Sequence, residues 1–184
     1  TWYSLKKTNL NSSDGYFLGG RSLSGIVIAG SMLLTNISSE HLIGMNGNSY
    51  VNGFIVIAWE VTSSLALAIA ALFFIPKYLK MGLTTIPQFL EKRFDGALRT
   101  FVAIVLITSF IITLLPIVLY SGALGIESLF GVSEVLGVEK SQGLWITILF
   151  IGILGSIYAV FGGLKAVAYS DTINGIGLLL GGLL

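Results

Sequence analysis

Polar residues are sparse along this chain and arrive in clusters, separated by apolar runs at Ser22–Ser39, Val61–Pro76, Thr100–Ile126 and Ser141–Leu164 that hold no Asp, Glu, Lys or Arg. A bilayer core requires about 20 apolar residues per helix. On that measure the pattern predicts four full spans, at Leu23–Tyr50, Gly53–Pro76, Leu98–Ser121 and Gly143–Gly162, and the start of a fifth near Val167. Pro116 lies inside the third span and predicts a kink. Gly162-Gly163 predicts a tight turn after the fourth. Between the second and third spans, Thr84–Phe94 reads as a short interfacial helix with Thr85 as N-cap and Pro87 in its first turn. Ile86, Phe89, Leu90 and Phe94 form its apolar side, which predicts that it lies flat on the membrane.

Charge fixes the orientation. Only 10% of the residues are charged, against about 25% in soluble domains. The segment after the second span holds Lys77, Lys80, Lys92, Arg93 and Arg99 against Glu91 and Asp95, a balance of +3 that predicts a cytoplasmic location. Lys6, Lys7 and Arg21 against Asp14 place the segment before the first span on the same side, and Lys165 returns the chain there. The loop around Glu127, Glu134, Glu139 and Lys140 is net negative and is expected outside. Trp2-Tyr3 followed by Lys6-Lys7 reads as a membrane helix ending at an interface, and Leu178–Leu184 stops inside an apolar run. Both ends are therefore expected to be cuts in a longer chain. A formal net charge of +1 excludes an electrostatic nucleic-acid binder. With no cysteine and one histidine, thiol chemistry and His-cluster zinc sites are excluded as well.

The first span is interrupted at Thr35-Asn36-Ile37-Ser38-Ser39-Glu40-His41, where six of seven residues are polar. A charged side chain at this depth costs at least ~2.5 kcal/mol. Asn, Ser and Thr side chains also compete for helical backbone hydrogen bonds. A broken helix follows, and such breaks place carbonyls where they replace an ion's hydration shell or meet a polar substrate. In the second span Glu60 shares a helix face with Ser63 and Ser64, beside Trp59. A carboxylate accepts from sugar hydroxyls and an indole face stacks on their C–H side. The residues alone leave structural roles open: Glu40, His41 and Glu60 serve equally as polar links between helices, the serines as packing residues, Trp59 as an interfacial anchor and Met45 as core.

Asn36-Ile37-Ser38-Ser39-Glu40-His41-Leu42-Ile43-Gly44-Met45 resembles the sodium/solute symporters, specifically the sodium/glucose and sodium/galactose cotransporters. Asp14–Leu23, Ile86–Phe94 and Ile157–Val167 through Ser170-Asp171 resemble further signatures of that family in the expected order. The likeness covers nearly the whole chain and is weakest from Ile104 to Gln142. It implies an all-α integral membrane fold of two five-helix inverted repeats with a broken first core helix. Residues 1–22 would be the end of a leading helix and a cytoplasmic loop, and 23–184 most of the first repeat, the second being absent.

By the same resemblance Asn36, His41, Glu60 and Ser63 fall at sugar-contacting positions, with Met45 and Trp59 at an outer gate. Leu34 and Ile37 fall where backbone carbonyls bind sodium, and Asp171 at an acidic position linked to cation coupling. The implied activity is sodium-coupled symport of a monosaccharide of glucose or galactose type across the plasma membrane (the inner membrane in a Gram-negative cell). Its partners would be sodium, sugar and the lipid bilayer. His41 and Trp59 depart from the bacterial galactose pattern, which has glutamine and tyrosine there, and His41 matches the animal glucose carriers. Acidic Glu60 argues against an anion such as sialic acid through like-charge repulsion. Alternatives are a sodium-coupled carrier of another polar solute, myo-inositol or, against that repulsion, sialic acid, or a channel-like sugar sensor on the same fold. An enzyme is not expected, since the acids Glu40, Glu60 and Asp171 lie on separate segments.

Overall fold

A backbone without water must satisfy its own N–H and C=O groups, and a helix does so within one segment. The computed structural model describes residues 12–183, and among these every regular element is helical. Trp2, Tyr3, Lys6 and Lys7, the expected end of a leading helix, lie outside the described residues. In chain order the elements are α1 (Ser13–Phe17), α2 (Gly25–Asn36), α3 (Asn46–Asn52), α4 (Ile57–Ile69), α5 (Ile75–Lys80), α6 (Ile86–Arg93), α7 (Gly96–Ser109), α8 (Leu115–Phe130), α9 (Val132–Leu136) and α10 (Lys140–Leu183).

Among the described residues, three helical runs are long and apolar enough to cross a membrane, His41–Lys80, Gly96–Phe130 and Lys140–Leu183, while α2 is a shorter apolar helix. Hydropathy divides the same residues into four spans and the start of a fifth. The difference lies partly at two glycines. Gly53 (φ 70°, ψ −154°) interrupts the first run and Gly163 (φ 58°, ψ −170°) the last, with helix on both sides of each. Both conformations are open to glycine and strained for other residues. The tight turn expected at Gly162-Gly163 is thus a one-residue kink.

The chain divides into two compact units, one of residues 12–42 with 119–183 and the other Ile43–Val118. In the first, small residues let α2 and the latter part of α10 approach closely. A Cβ added to Gly30 would lie 2.8 Å from Thr172 Oγ1, and one on Gly175 would lie 2.9 Å from Leu34 Cδ2. Val27, Ala166 and Ala168 are buried in this unit. Tyr16 of α1 donates to the Val160 carbonyl at 2.8 Å, beside the Gly163 kink. Lys165 is buried and donates to Ser22 Oγ at 3.1 Å. Glu127 was expected among loop charges, but it sits near the end of α8 and is buried. Its carboxylate accepts from the backbone N–H of Ser133 at 3.2 Å and from the Ser133 hydroxyl, which caps the start of α9 and offsets the cost of burial.

In the second unit no residue of Ile43–Val118 is buried. Proline lacks the N–H of a helical hydrogen bond and crowds the carbonyl four residues before it. Around Pro76 and Pro116 the helices absorb this in wider π turns at Ala70–Phe74 and Phe110–Leu114. The long helix therefore continues past Pro116. α6 forms where the sequence places it. Thr85 is the N-cap, Pro87 is in the first turn, and Gln88 Oε1 accepts from the backbone N–H groups of Thr84 at 2.9 Å and Thr85 at 3.3 Å.

Candidate functional site

The polar run at Thr35–His41 ends α2, and the hydrogen bonds show how. Ile37 leaves the helix at φ −100° and ψ 107°, its own N–H still bonded to the Leu33 carbonyl at 2.9 Å. In a continued helix the Ser38 N–H would reach the Leu34 carbonyl and the His41 N–H would reach that of Ile37. Instead Ser38 N–H donates to His41 Nδ1 at 3.2 Å, and His41 N–H donates to the Ser38 carbonyl at 3.0 Å. The side chain of His41 thus takes over a backbone donor, and neither helical donor is directed to Leu34 or Ile37. Beyond the break the chain resumes as a π turn, His41–Met45. Such turns are frequent at functional sites.

Glu40 Oε1 lies 4.0 Å from His41 Nδ1, and both side chains are partly shielded. Asn36, the last residue of α2, is exposed. The Asp171 carboxylate accepts from Ser31 Oγ at 2.9 Å, tying α10 to α2. Ser31 precedes Leu34 by one turn, so this link lies about 4.5 Å along the helix from the released carbonyl. Thr172 reinforces it, donating to the carbonyls of Ala168 at 2.8 Å and Val27 at 3.2 Å. The first unit therefore gathers Leu34, Asn36, Ile37 and His41 on one break and holds Asp171 against the helix that leads to it. Ser31 was not singled out by sequence reasoning. Its signal was a lone hydroxyl in the apolar stretch Ile26–Leu34, four residues before Thr35, whose own hydroxyl bonds to the Ser31 carbonyl at 2.8 Å.

The second unit carries Met45, Trp59, Glu60 and Ser63. Glu60 lies in the first turn of α4, where the helix dipole favours a negative charge. Glu60 and Ser63 are both half-buried on the same face, whereas Ser64 is exposed and Trp59 is 74% exposed. Met45 closes the π turn and is half-buried. Chemically, α4 offers one carboxylate and one hydroxyl one turn apart with an uncovered indole next to them, a set suited to hydroxyl groups and C–H faces.

The sequence as a whole has relatives. The model of the sodium:solute symporter family matches residues 16–184. An uncharacterised symporter of Escherichia coli (strain K12), YidK, is 48% identical over 184 residues, covering 100% of this chain and 32% of that protein. The sodium/glucose cotransporter of Vibrio parahaemolyticus is 35% identical over 97% of this chain and 31% of its own length. The sodium/myo-inositol cotransporter of Homo sapiens is 37% identical over 99% of this chain and 24% of its own length. The chain thus spans a third or less of these relatives. A family match over nearly the full chain, with helices long and apolar enough to cross a membrane, has one consequence: the chain belongs to the sodium:solute symporter family.

Proposed function

We propose that this chain supplies part of the ion and sugar sites of a multi-pass, sodium-coupled symporter for a neutral monosaccharide or polyol, working by alternating access in the plasma membrane. The observation that carries the reading is the redirection of the Ser38 and His41 N–H groups away from the carbonyls of Leu34 and Ile37. Carbonyl oxygens released in a broken membrane helix are hard, uncharged ligands of the kind that coordinate sodium in such transporters. In this reading sodium at Leu34 and Ile37 steadies the break, and that orders Asn36 and His41 for the sugar. Asp171 on α10, bonded to Ser31 one turn before Leu34 on α2, lowers the cost of bringing a cation there. Glu60 and Ser63 bind sugar hydroxyls, while Met45 and Trp59 form the outer gate. Coupling is reciprocal, so sugar raises sodium affinity by the same factor.

Glucose or galactose is the first reading of the substrate. The likeness to a sodium/myo-inositol cotransporter at 37% identity favours a polyol as the second. The two share the hydroxyl chemistry that Asn36, Glu60 and Ser63 recognise. The test is uptake by the full-length transporter, with and without sodium, across glucose, galactose, myo-inositol and sialic acid. Sodium-dependent accumulation of one of the neutral solutes is expected, abolished by Glu60→Ala and strongly weakened by Asn36→Ala. Undiminished uptake in Glu60→Ala would overturn the sugar-site assignment, and a current or signal without accumulation would favour the channel-like reading.

A further inference from the structure

The segment that joins α5, α6 and α7 is the most basic part of the molecule, and its acidic groups are already engaged. Glu91 pairs with Arg99 at 2.8 Å, fixing α6 to α7. Asp95 is the N-cap of α7, accepting from the Leu98 N–H at 2.7 Å. Lys92 donates to the Met81 carbonyl at 2.5 Å and so closes the turn after α5. The rings of Tyr78 and Phe89 meet at 5.4 Å, holding α6 against α5. What is left over is cationic: Lys77 and Lys80 in the last turn of α5 and Arg93 in the last turn of α6 are all exposed. Apolar points flank them, since Leu79, Ile86 and Phe94 are 71%, 65% and 62% exposed.

We infer that this braced platform is a docking surface for anionic phospholipid headgroups, with Lys77, Lys80 and Arg93 meeting the phosphates while Ile86 and Phe94 enter the acyl boundary. Charge complementarity selects this occupant. A short amphipathic helix between long apolar helices sits at headgroup level, where each Lys or Arg gains from an anionic leaflet. An uncharged surface would satisfy Ile86 and Phe94 but not the exposed charges of Lys77, Lys80 and Arg93, the last with its guanidinium 5.7 Å over the Phe94 ring. The consequence is a transporter whose α5–α7 corner is anchored by lipid charge, whichever solute it carries.

The experiment uses the full-length transporter, purified in detergent and titrated with phosphatidylglycerol or phosphatidylcholine, with retained lipid counted by native mass spectrometry. Retention of phosphatidylglycerol is expected to exceed that of phosphatidylcholine, and the triple variant Lys77→Gln, Lys80→Gln, Arg93→Gln should lower this preference by about a hundredfold. High salt should erode the preference of the unmodified protein without any substitution. Lys140→Gln, on a different unit, should leave it unchanged. The inference is overturned if the unmodified protein shows no phosphatidylglycerol preference or if the triple variant keeps it.

Discussion

The two units are built from the same apolar vocabulary and held together in opposite ways. In the first, side chains far apart in sequence bond across helices: Ser31 to Asp171, Thr172 to Val27, Tyr16 to Val160 and Lys165 to Ser22. Glycines at the crossings bring the backbones close. In the second, hydroxyls bond back to their own helix, as Thr62 does to Ala58 and Thr100 to Gly96, and the apolar faces stay uncovered. A hydrophobic run is therefore no guide to internal packing in a membrane protein. Lipid tails are as apolar as leucine, so small residues and polar links decide which helices associate. Substitutions in the first unit should act on stability, and most in the second should not.

The largest expected effect is at Gly163. Its φ of 58° with ψ near −170° is a conformation for glycine, and an added Cβ would lie 2.8 Å from the backbone oxygen of Tyr16. Gly163→Val combines backbone strain with overpacking and should cost about 3 kcal/mol or more. Thermal unfolding of the full-length protein in detergent measures it, and an unchanged midpoint would dissolve the contrast between the units. Gly30→Ala comes next. The Thr172 atoms nearest its new methyl include Cα at 3.0 Å, so the helices must move, at about 1–3 kcal/mol. Thr172→Ala removes the two closer side-chain contacts and should recover part of that loss, giving a coupling that a double-mutant cycle reads directly.

Asp171 tests the first unit by function. Asp171→Asn keeps an acceptor for Ser31 while removing the charge. If the carboxylate assists a cation, half-maximal uptake should require about fivefold more sodium or beyond, with the melting midpoint little changed. A shift in the midpoint alone would make Asp171 a packing link. On the second unit Gly47 is the counterpart of Gly30, since nothing lies within 4 Å of its added Cβ. Gly47→Ala should stabilise by about 0.5–1 kcal/mol through helix propensity.

How much of this was legible follows the same division. The break after Asn36 was readable because Thr35 to His41 crowds polar groups into a span, and the start of α6 because Thr85 stands at the N-cap with Pro87 in the first turn. Those are local signals. The Ser31–Asp171 bond joins residues 140 apart and the Tyr16–Val160 bond residues 144 apart. No periodicity within one segment encodes such a pairing. Glu127 was misplaced for a related reason: a carboxylate near an apolar boundary looks like a loop charge until Ser133 is seen to satisfy it. The sugar-site roles of Asn36, His41, Glu60 and Ser63 came from resemblance, because a carboxylate and a hydroxyl one helical turn apart fit a packing role as well as a binding one.

The smallest expected effect is at the close ion pair between α6 and α7 in the second unit. Arg99 and Glu91 meet at 2.8 Å, yet both side chains are more than 40% exposed. Such a pair spends side-chain entropy to gain little in a high dielectric, so Arg99→Ala should change stability by less than about 1 kcal/mol, and less again in high salt. Its sharper consequence concerns charge rather than stability. Losing Arg99 frees Glu91, which adds an unpaired anion beside Arg93 and should weaken phosphatidylglycerol retention more than removal of one distant cation does. Arg99→Ala combined with Glu91→Ala restores the balance, and recovery of lipid retention in that double variant would separate the platform's electrostatics from its fold.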